Sequence, residues 1–563
     1  MSKCMQRDLQ RLSADHFDVL IIGGGINGAW IALDAALRGL RTALVDKGDF
    51  GAATSAATGK MIHGGIRYLQ HMALGRLKTS LHERMLLLRN APHLVHPLPF
   101  LIPTSGHLLK GKEVLSLAML IYDFFACRAV PGPPYAQIPP HQRLSRRETA
   151  RLEPCLALEG LTGAVRFFDC QMPFPERLTL AVIQSAQEAG ATVVNYAQAT
   201  KILRDEMTVR GVRIRDQLAG DGFEIQAHCV VNATGPWADE ILRAEGSSAD
   251  PSATTAKQNR QFSKGIHIIT RALTSGHGLA LATRHQHSGA VLDRGGRHFF
   301  IVPWEGHSLV GTTNAPYEGD PDQKLVTEED IQGLIADVNS VYPSAGLRRE
   351  DVLFFYGGLY PDEPHQGAKG YQGARKDRIV DHGQGNVLHG LITVSGVKYT
   401  TGRRLAQMVV EMVFAKLQRP VLPCRTETAV LHGGDMPGMQ AFLAAEQNRL
   451  AGILSVEEID HLVRLYGTKI SDVLETASEN VANKTKRTAD NLVMAQTRYA
   501  VRREMARKLT DVLFRRTRWG LFGHPGGDLL RHVADVMAEE LAWDRARMEQ
   551  EITEVEDCYH VVT

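Results

Sequence analysis

The patterned part of the chain begins with an apolar run, Val19 to Ile22, of the length of a buried parallel strand. An alanine-rich apolar stretch then repeats at helical spacing as far as Leu37, and a second strand-like run ends in Asp46. Alternating strand and helix patterns continue through the first third. Proline then thickens from Pro131 to Pro140, which predicts an exposed excursion rather than an element interior. A helical run over Arg177 to Ala189 leads into a strand-like Thr192 to Tyr196. Val209 to Ile214 and Phe223 to Cys229 read as hairpin segments, and Cys229 to Trp237 returns to a strand that ends in a turn. Residues 262 to 313 carry enough strand pattern for an inserted antiparallel sheet. From Met439 onward the periodicity is helical and strands are almost absent. The charge-dense run from Arg498 to Arg518 mixes acids into a 3.6-residue apolar period, so a solvated helix face is expected there.

Gly23-x-Gly25-x-x-Gly28 lies between the first strand and its helix. The spacing supplies a tight turn at Gly23, close backbone approach to a pyrophosphate at Gly25 and close helix packing at Gly28. The helix start offers free N–H groups and a positive dipole end to phosphate. Asp46 follows Gly25 by about 20 residues, the separation suited to accepting ribose hydroxyls. With its strand before it and its helix after it, the motif predicts a bound dinucleotide. Two later segments favour FAD over NAD. Val231-Asn232-Ala233-Thr234-Gly235 ends a strand in small residues that allow a second backbone approach. Ser395-Gly396-Val397-Lys398 opens a turn feeding a helix whose N–H groups could face an anionic flavin ring.

At 563 residues the chain is long enough for two or three domains, and 44% hydrophobic and 22% charged residues are ordinary globular values. A formal net charge of +2 does not point to nucleic acid. Seven scattered cysteines with no C-x-x-C read as a reduced, cytoplasmic protein without a disulfide framework. The polar first residues do not read as a signal peptide. Val114 to Cys127 is apolar, short for a membrane span and interrupted by Asp123. A core helix is the expected reading, with a surface helix dipping into a membrane interface as the alternative. His285-x-His287 has no neighbouring carboxylate or cysteine in sequence, so no metal site is expected.

Several runs together carry a family resemblance: I-I-G-G-G-I-N-G, A-A-T-S-A-A-T-G-K-M-I-H-G-G-I-R-Y-L, V-N-A-T-G-P-W, K-G-I-H-I, G-T-T-N and K-Y-T-T. The chain closely resembles the FAD-dependent glycerol-3-phosphate dehydrogenases, a family that includes the α-glycerophosphate oxidases, over nearly its whole length. The resemblance implies an α/β fold: a Rossmann-like FAD-binding domain with an inserted antiparallel-sheet substrate domain and an all-α C-terminal domain. The expected boundaries are a tail over 1–17, the oxidoreductase region over 18–420 with the substrate domain at roughly 85–230 and 250–390, and helices over 421–563. It also implies hydride transfer from C2 of sn-glycerol 3-phosphate to FAD, and the segment Lys47 to Gly59, with neither histidine nor cysteine, predicts that this FAD is noncovalent. Electrons then leave to a quinone at the inner face of the cytoplasmic membrane, or to oxygen in the oxidases. An oligomer is compatible with this.

By position, His63, Arg67, His267 and Lys398 fall in the implied catalytic pocket, with Tyr68, Tyr360, Arg375 and Thr400 at the substrate. The implied cofactor contacts are Gly23, Gly25, Gly28, Asp46, Thr54, Ser55, Thr234, Gly235, Gly396 and Val397. Arginine and lysine suit a phosphate dianion. A histidine suits removal of the hydroxyl proton, and His63 is slightly favoured over His267. The chain also departs from the family pattern. Tyr360 stands where members carry an arginine, Asn314 where they carry an aspartate, and Val397 where they carry a glycine. Arg375 could compensate for the missing guanidinium. These changes leave a second polyol phosphate open as substrate, and a catalytically idle flavoprotein is the reading of a different class.

Overall fold

In the computed structural model the described residues are 5–70, 72–105, 112–129, 138–156, 160–243, 262–282, 298–361, 377–384, 388–396, 398–478 and 489–562. Among them are two large sheets. The first runs in the order Arg378–Asp381, Leu391–Ser395, Gly222–Asn232, His16–Ile22, Thr42–Val45, Thr192–Val194. Its centre is parallel, with Leu20 beside Val230 on one side and Ala43 on the other. Phe17 to Ile22 are all buried, and apart from Asp18 they are apolar, as a strand covered on both faces requires. The helix Ile26–Leu37 covers the sheet, burying Trp30, Ile31 and Leu33, and the helices Pro175–Glu188 and Gly402–Lys416 pack against it.

Gly222–Asn232 is one unbroken strand, so the segments expected at Phe223 and at Cys229 are continuous. Its first half pairs antiparallel with Thr208–Asp216, and its second half enters the parallel core. Residues 175–230, which the sequence reading grouped with the substrate domain, therefore belong to the first sheet and the helix packed on it.

The second sheet runs Ala315–Tyr317, Phe262–Arg271, His307–Gly311, His298–Trp304, Gly278–Ala282, His96–Ser105, Leu161–Gln171, Met61–Ile62. Val352–Pro361 pairs along the other edge of Phe262–Arg271. The C-terminal region holds the helices Val456–Tyr466, Ile470–Ser478, Ala489–Arg503, Gly527–Leu541 and Arg545–Asp557. Its apolar core is shared with the second sheet. Phe514 stacks on Phe354, and Phe522 packs on Trp304.

Three expectations change. The first is the basic run, which is not a solvated face. Glu504, Asp511 and Arg516 are buried, and Arg516 holds Asp49 through two hydrogen bonds of 2.6 and 2.8 Å. Arg515 reaches the same carboxylate at 2.7 Å, and Arg177 clasps Glu504 at 2.7 Å. Charge density marked this run as polar, but its charges are matched by Asp49 from a loop of the first sheet, by Arg177 from its helix, and by Glu539, Glu540 and Glu554 of the C-terminal helices. The second is the helix Lys112–Ala126, which lies at the surface rather than in the core. It buries Met119 and Tyr122 and leaves Leu117, Leu120, Ile121 and Phe124 exposed. The third is the expected N-terminal tail, whose described residues, 5–17, pack on the first sheet. Leu12, on the helix Leu9–Ala14, is buried, and Arg7 pairs with Asp216 at 2.5 Å. The prolines at 131 to 134 and the His285–His287 pair lie outside the described residues.

Candidate active site

One cavity of about 830 Å³ runs from the glycine turn of the first sheet to the face of the second. At its first end, Gly23 has a φ of +105°, a conformation that favours glycine. A Cβ on Gly28 would lie 1.9 Å from the Gly23 carbonyl oxygen, so that carbonyl and the helix touch only because the side chain is absent. Gly28→Ala is expected to strip the protein of flavin, measured as visible absorbance per mole of purified protein. The Ser55 hydroxyl accepts the Ile26 N–H at 2.9 Å and fixes the loop over the helix start. Asp46 accepts the Gly24 N–H at 2.6 Å and the Gly48 N–H at 2.8 Å. Burial pushes its carboxyl up to about 6, against the pull of these two donors.

Thr54, Thr234, Gly235 and Gly396 also line the cavity. The Thr54 hydroxyl donates to the Leu359 carbonyl, and Thr234 donates to the Asn232 side chain. A Cβ on Gly396 would collide with Asn27, whose buried amide oxygen has no partner. The glycine cradle, an acid at the end of the second strand and an unsatisfied buried polar atom beside it fit a dinucleotide. Val397 and Arg375 lie outside the described residues.

At the other end His63, Arg67, Tyr68, His267, Tyr360, Lys398 and Thr400 line the same cavity. The Lys398 ammonium sits 3.8 Å from the centre of the Tyr68 ring, and the Arg67 guanidinium lies 5.5 Å from that of Phe300. Burial, and then the neighbouring Arg67 charge, pull the Lys398 ammonium down to about 8. The Thr400 hydroxyl accepts the His63 backbone N–H at 3.2 Å.

The two histidines differ in setting. His267 is buried in the Phe262–Arg271 strand, where it stacks on Tyr356 and faces Gly311. Its Nδ1 has no partner, and burial together with the Lys60 charge pushes the imidazole down to about 3. His63 is half exposed to the cavity, and its Nδ1 lies 3.5 Å from Asp169.

Sequence reading missed Asp169. Its signal was a lone acid between Phe168 and Cys170 in the strand-like run Ala164 to Gln171. Tyr360 also behaves differently from a free phosphate ligand. Its hydroxyl donates to Asn314 Oδ1 at 2.7 Å, and Ser263 donates to the same oxygen. Two of the three positions expected to depart from the family pattern are therefore in contact with each other.

Comparison with known proteins bears on the family and the fold. Residues 18–412 match the family model described as FAD dependent oxidoreductase, and residues 424–548 match the C-terminal domain of alpha-glycerophosphate oxidase. A glycerol-3-phosphate dehydrogenase of Synechocystis is 32% identical over 97% of this chain and 97% of its own. An aerobic glycerol-3-phosphate dehydrogenase of Staphylococcus aureus is 30% identical over 97% of this chain and 95% of its own. The crystal structure of a glycerol-3-phosphate dehydrogenase from Bacillus halodurans complexed with FAD superposes with a TM-score of 0.75 at 27% identity, covering 98% of this chain and 96% of that one. The chain belongs to the FAD-dependent oxidoreductase family.

Proposed function

We propose that this chain oxidises sn-glycerol 3-phosphate to dihydroxyacetone phosphate, with FAD as oxidant and a quinone as the final acceptor. The observation that carries the reading is the pairing of two cations, Arg67 and Lys398, with the imidazole of His63 in the cavity that the glycine cradle opens. Two fixed cations match a phosphate dianion better than an amino acid, whose ammonium they would repel. FAD, when bound, takes up the hydride that leaves C2. The protein's part is to hold the phosphate at Arg67 and Lys398 and to accept the hydroxyl proton. His63 is the acceptor in this reading, because His267 is a weak base in its buried place beside Lys60. Substrate-dependent reduction of a soluble quinone analogue, with one dihydroxyacetone phosphate formed per quinone consumed, tests the proposal. Turnover without the ketone would refute it.

Noncovalent FAD follows from the loop Lys47 to Gly59, which contains neither histidine nor cysteine to serve as an attachment point. Acid precipitation should release all of the flavin into the supernatant. For the acceptor, the exposed Leu117, Leu120, Ile121 and Phe124 offer an apolar face suited to peripheral contact with the inner face of the cytoplasmic membrane, where quinone resides. No described helix is long and apolar enough to cross a membrane.

A second reading is favoured by one observation. The Tyr360–Asn314–Ser263 cluster is uncharged where a dianion would gain from a guanidinium, so a different polyol phosphate could be the true substrate. Tyr360→Arg separates the two. It should lower KM for sn-glycerol 3-phosphate by about five- to thirtyfold, roughly the 1–2 kcal/mol of an added charge-assisted contact. Loss of activity on another polyol phosphate that reduces the wild-type flavin faster would favour the second reading.

A further inference from the structure

We infer that Asp169 is a positioning residue for His63, holding the imidazole with Nδ1–H towards its carboxylate and Nε2 towards the cavity. This rests on the proposed oxidation and adds a residue to it. The register of the second sheet creates the contact. Met61 pairs with Gln171 and Ile62 with Cys170, so the next step along each strand brings His63 beside Asp169. The carboxylate divides its work between its oxygens. Oδ1 accepts the Gly64 N–H at 2.7 Å and Arg84 Nη1 at 2.9 Å, and Oδ2 faces His63 Nδ1 at 3.5 Å.

Asp169 is itself held in place. Arg84, wholly buried, also donates to the Phe168 carbonyl and to the Tyr122 hydroxyl, so the carboxylate cannot swing away from the ring. The backbone of His63 is fixed from the other side by Thr400. With Nδ1 turned to the carboxylate, Nε2 lies on the opposite edge of a ring that lines the cavity.

In the reaction the C2 hydroxyl proton passes to Nε2 and its O–H electron pair becomes the second carbon–oxygen bond. The C2 hydride leaves with its own pair to FAD. The imidazole then carries a positive charge, which the fixed carboxylate stabilises. The other charges around the ring are Arg84 behind Asp169, and Arg67 and Lys398 in the cavity. Among the described residues Asp169 is the carboxylate in contact with the imidazole.

The simpler alternative is that Asp169 serves only as counter-ion to Arg84, and the experiment separates the two. Anaerobic flavin reduction by sn-glycerol 3-phosphate is followed against pH in wild type, Asp169→Asn, His63→Ala and the double variant. Asp169→Asn should slow reduction at least about tenfold and move the acid limb to lower pH, because the imidazole loses its anion. In the His63→Ala background the same change should alter the rate less than about twofold. The His63 ring titration, read by NMR and assigned by its absence in His63→Ala, should shift with the limb.

If Asp169→Asn fails to retain FAD because Arg84 is left without its anion, Arg84→Gln is compared with Arg84→Gln/Asp169→Asn, which removes both buried charges together. Only the second should move the limb and the ring titration. Equal losses in both His63 backgrounds, or an unmoved limb and titration, would overturn the positioning role and leave the substrate reading intact. A wild-type flavin that sn-glycerol 3-phosphate leaves oxidised would remove the substrate reading and this role with it.

Discussion

Replacing Arg67 or Lys398 with alanine should lower kcat/KM for sn-glycerol 3-phosphate by tens- to several-hundred-fold, about 2–4 kcal/mol each, while FAD stays bound. Both cations line the cavity away from the glycine cradle, so flavin retention and catalysis should separate. The effect should also depend on pH in one direction. Burial and Arg67 pull the Lys398 ammonium down to about 8, so the free enzyme loses that charge as pH rises through this value. Wild-type kcat/KM should therefore fall on the alkaline side near pH 8, and Lys398→Arg should remove that limb because a guanidinium stays protonated. Normal turnover in either alanine variant would show that the phosphate binds elsewhere.

Asp49→Ala should be the most damaging single change to stability outside the apolar core. The Asp49 carboxylate is buried between Arg515 and Arg516 and also receives the Asn195 amide at 3.0 Å. Burial alone would raise its pKa, but the two guanidiniums outweigh that and hold it well below the usual carboxylate range. Removing it leaves buried cations without their anion, a loss of about 3–5 kcal/mol. Asp49 stands three residues after Asp46, so the C-terminal helices brace the loop that flanks the candidate nucleotide site. Thermal unfolding followed together with flavin release should show both transitions lowered. A variant that melts like wild type would mean that the network contributes nothing net.

Much of the candidate site is legible in local sequence, because its chemistry sits in short motifs. The glycine turn, Asp46, His63 to Tyr68 and Lys398 to Thr400 each lie within a few residues of a recognisable pattern, and Gly23, Gly25, Asp46, His63, Arg67, Tyr68, Lys398 and Thr400 all line the cavity, while Gly28 packs against the Gly23 carbonyl. What local sequence hides is set by strand register. Asp169 meets His63 only because Leu161–Gln171 pairs antiparallel with Met61–Ile62, a pairing of segments about a hundred residues apart. Tyr360 meets Asn314 because both flank the strand Phe262–Arg271, Ser263 lying opposite Tyr360 on one side and Pro316 on the other. The basic run near Arg516 misled for a related reason. Periodicity reports which face is apolar, and it carries no information about buried acids that distant segments bring to the polar face.

The central claim is oxidation at C2 of a phosphorylated polyol, and the rate of anaerobic flavin bleaching tests it most directly. Stopped-flow mixing of the yellow protein with sn-glycerol 3-phosphate and with its 2-deuterated form should show full bleaching by both, slower with deuterium by a primary isotope effect. Bleaching with no isotope effect would place C2–H cleavage outside the slow step, and a flavin that stays yellow with both substrates would contradict the account.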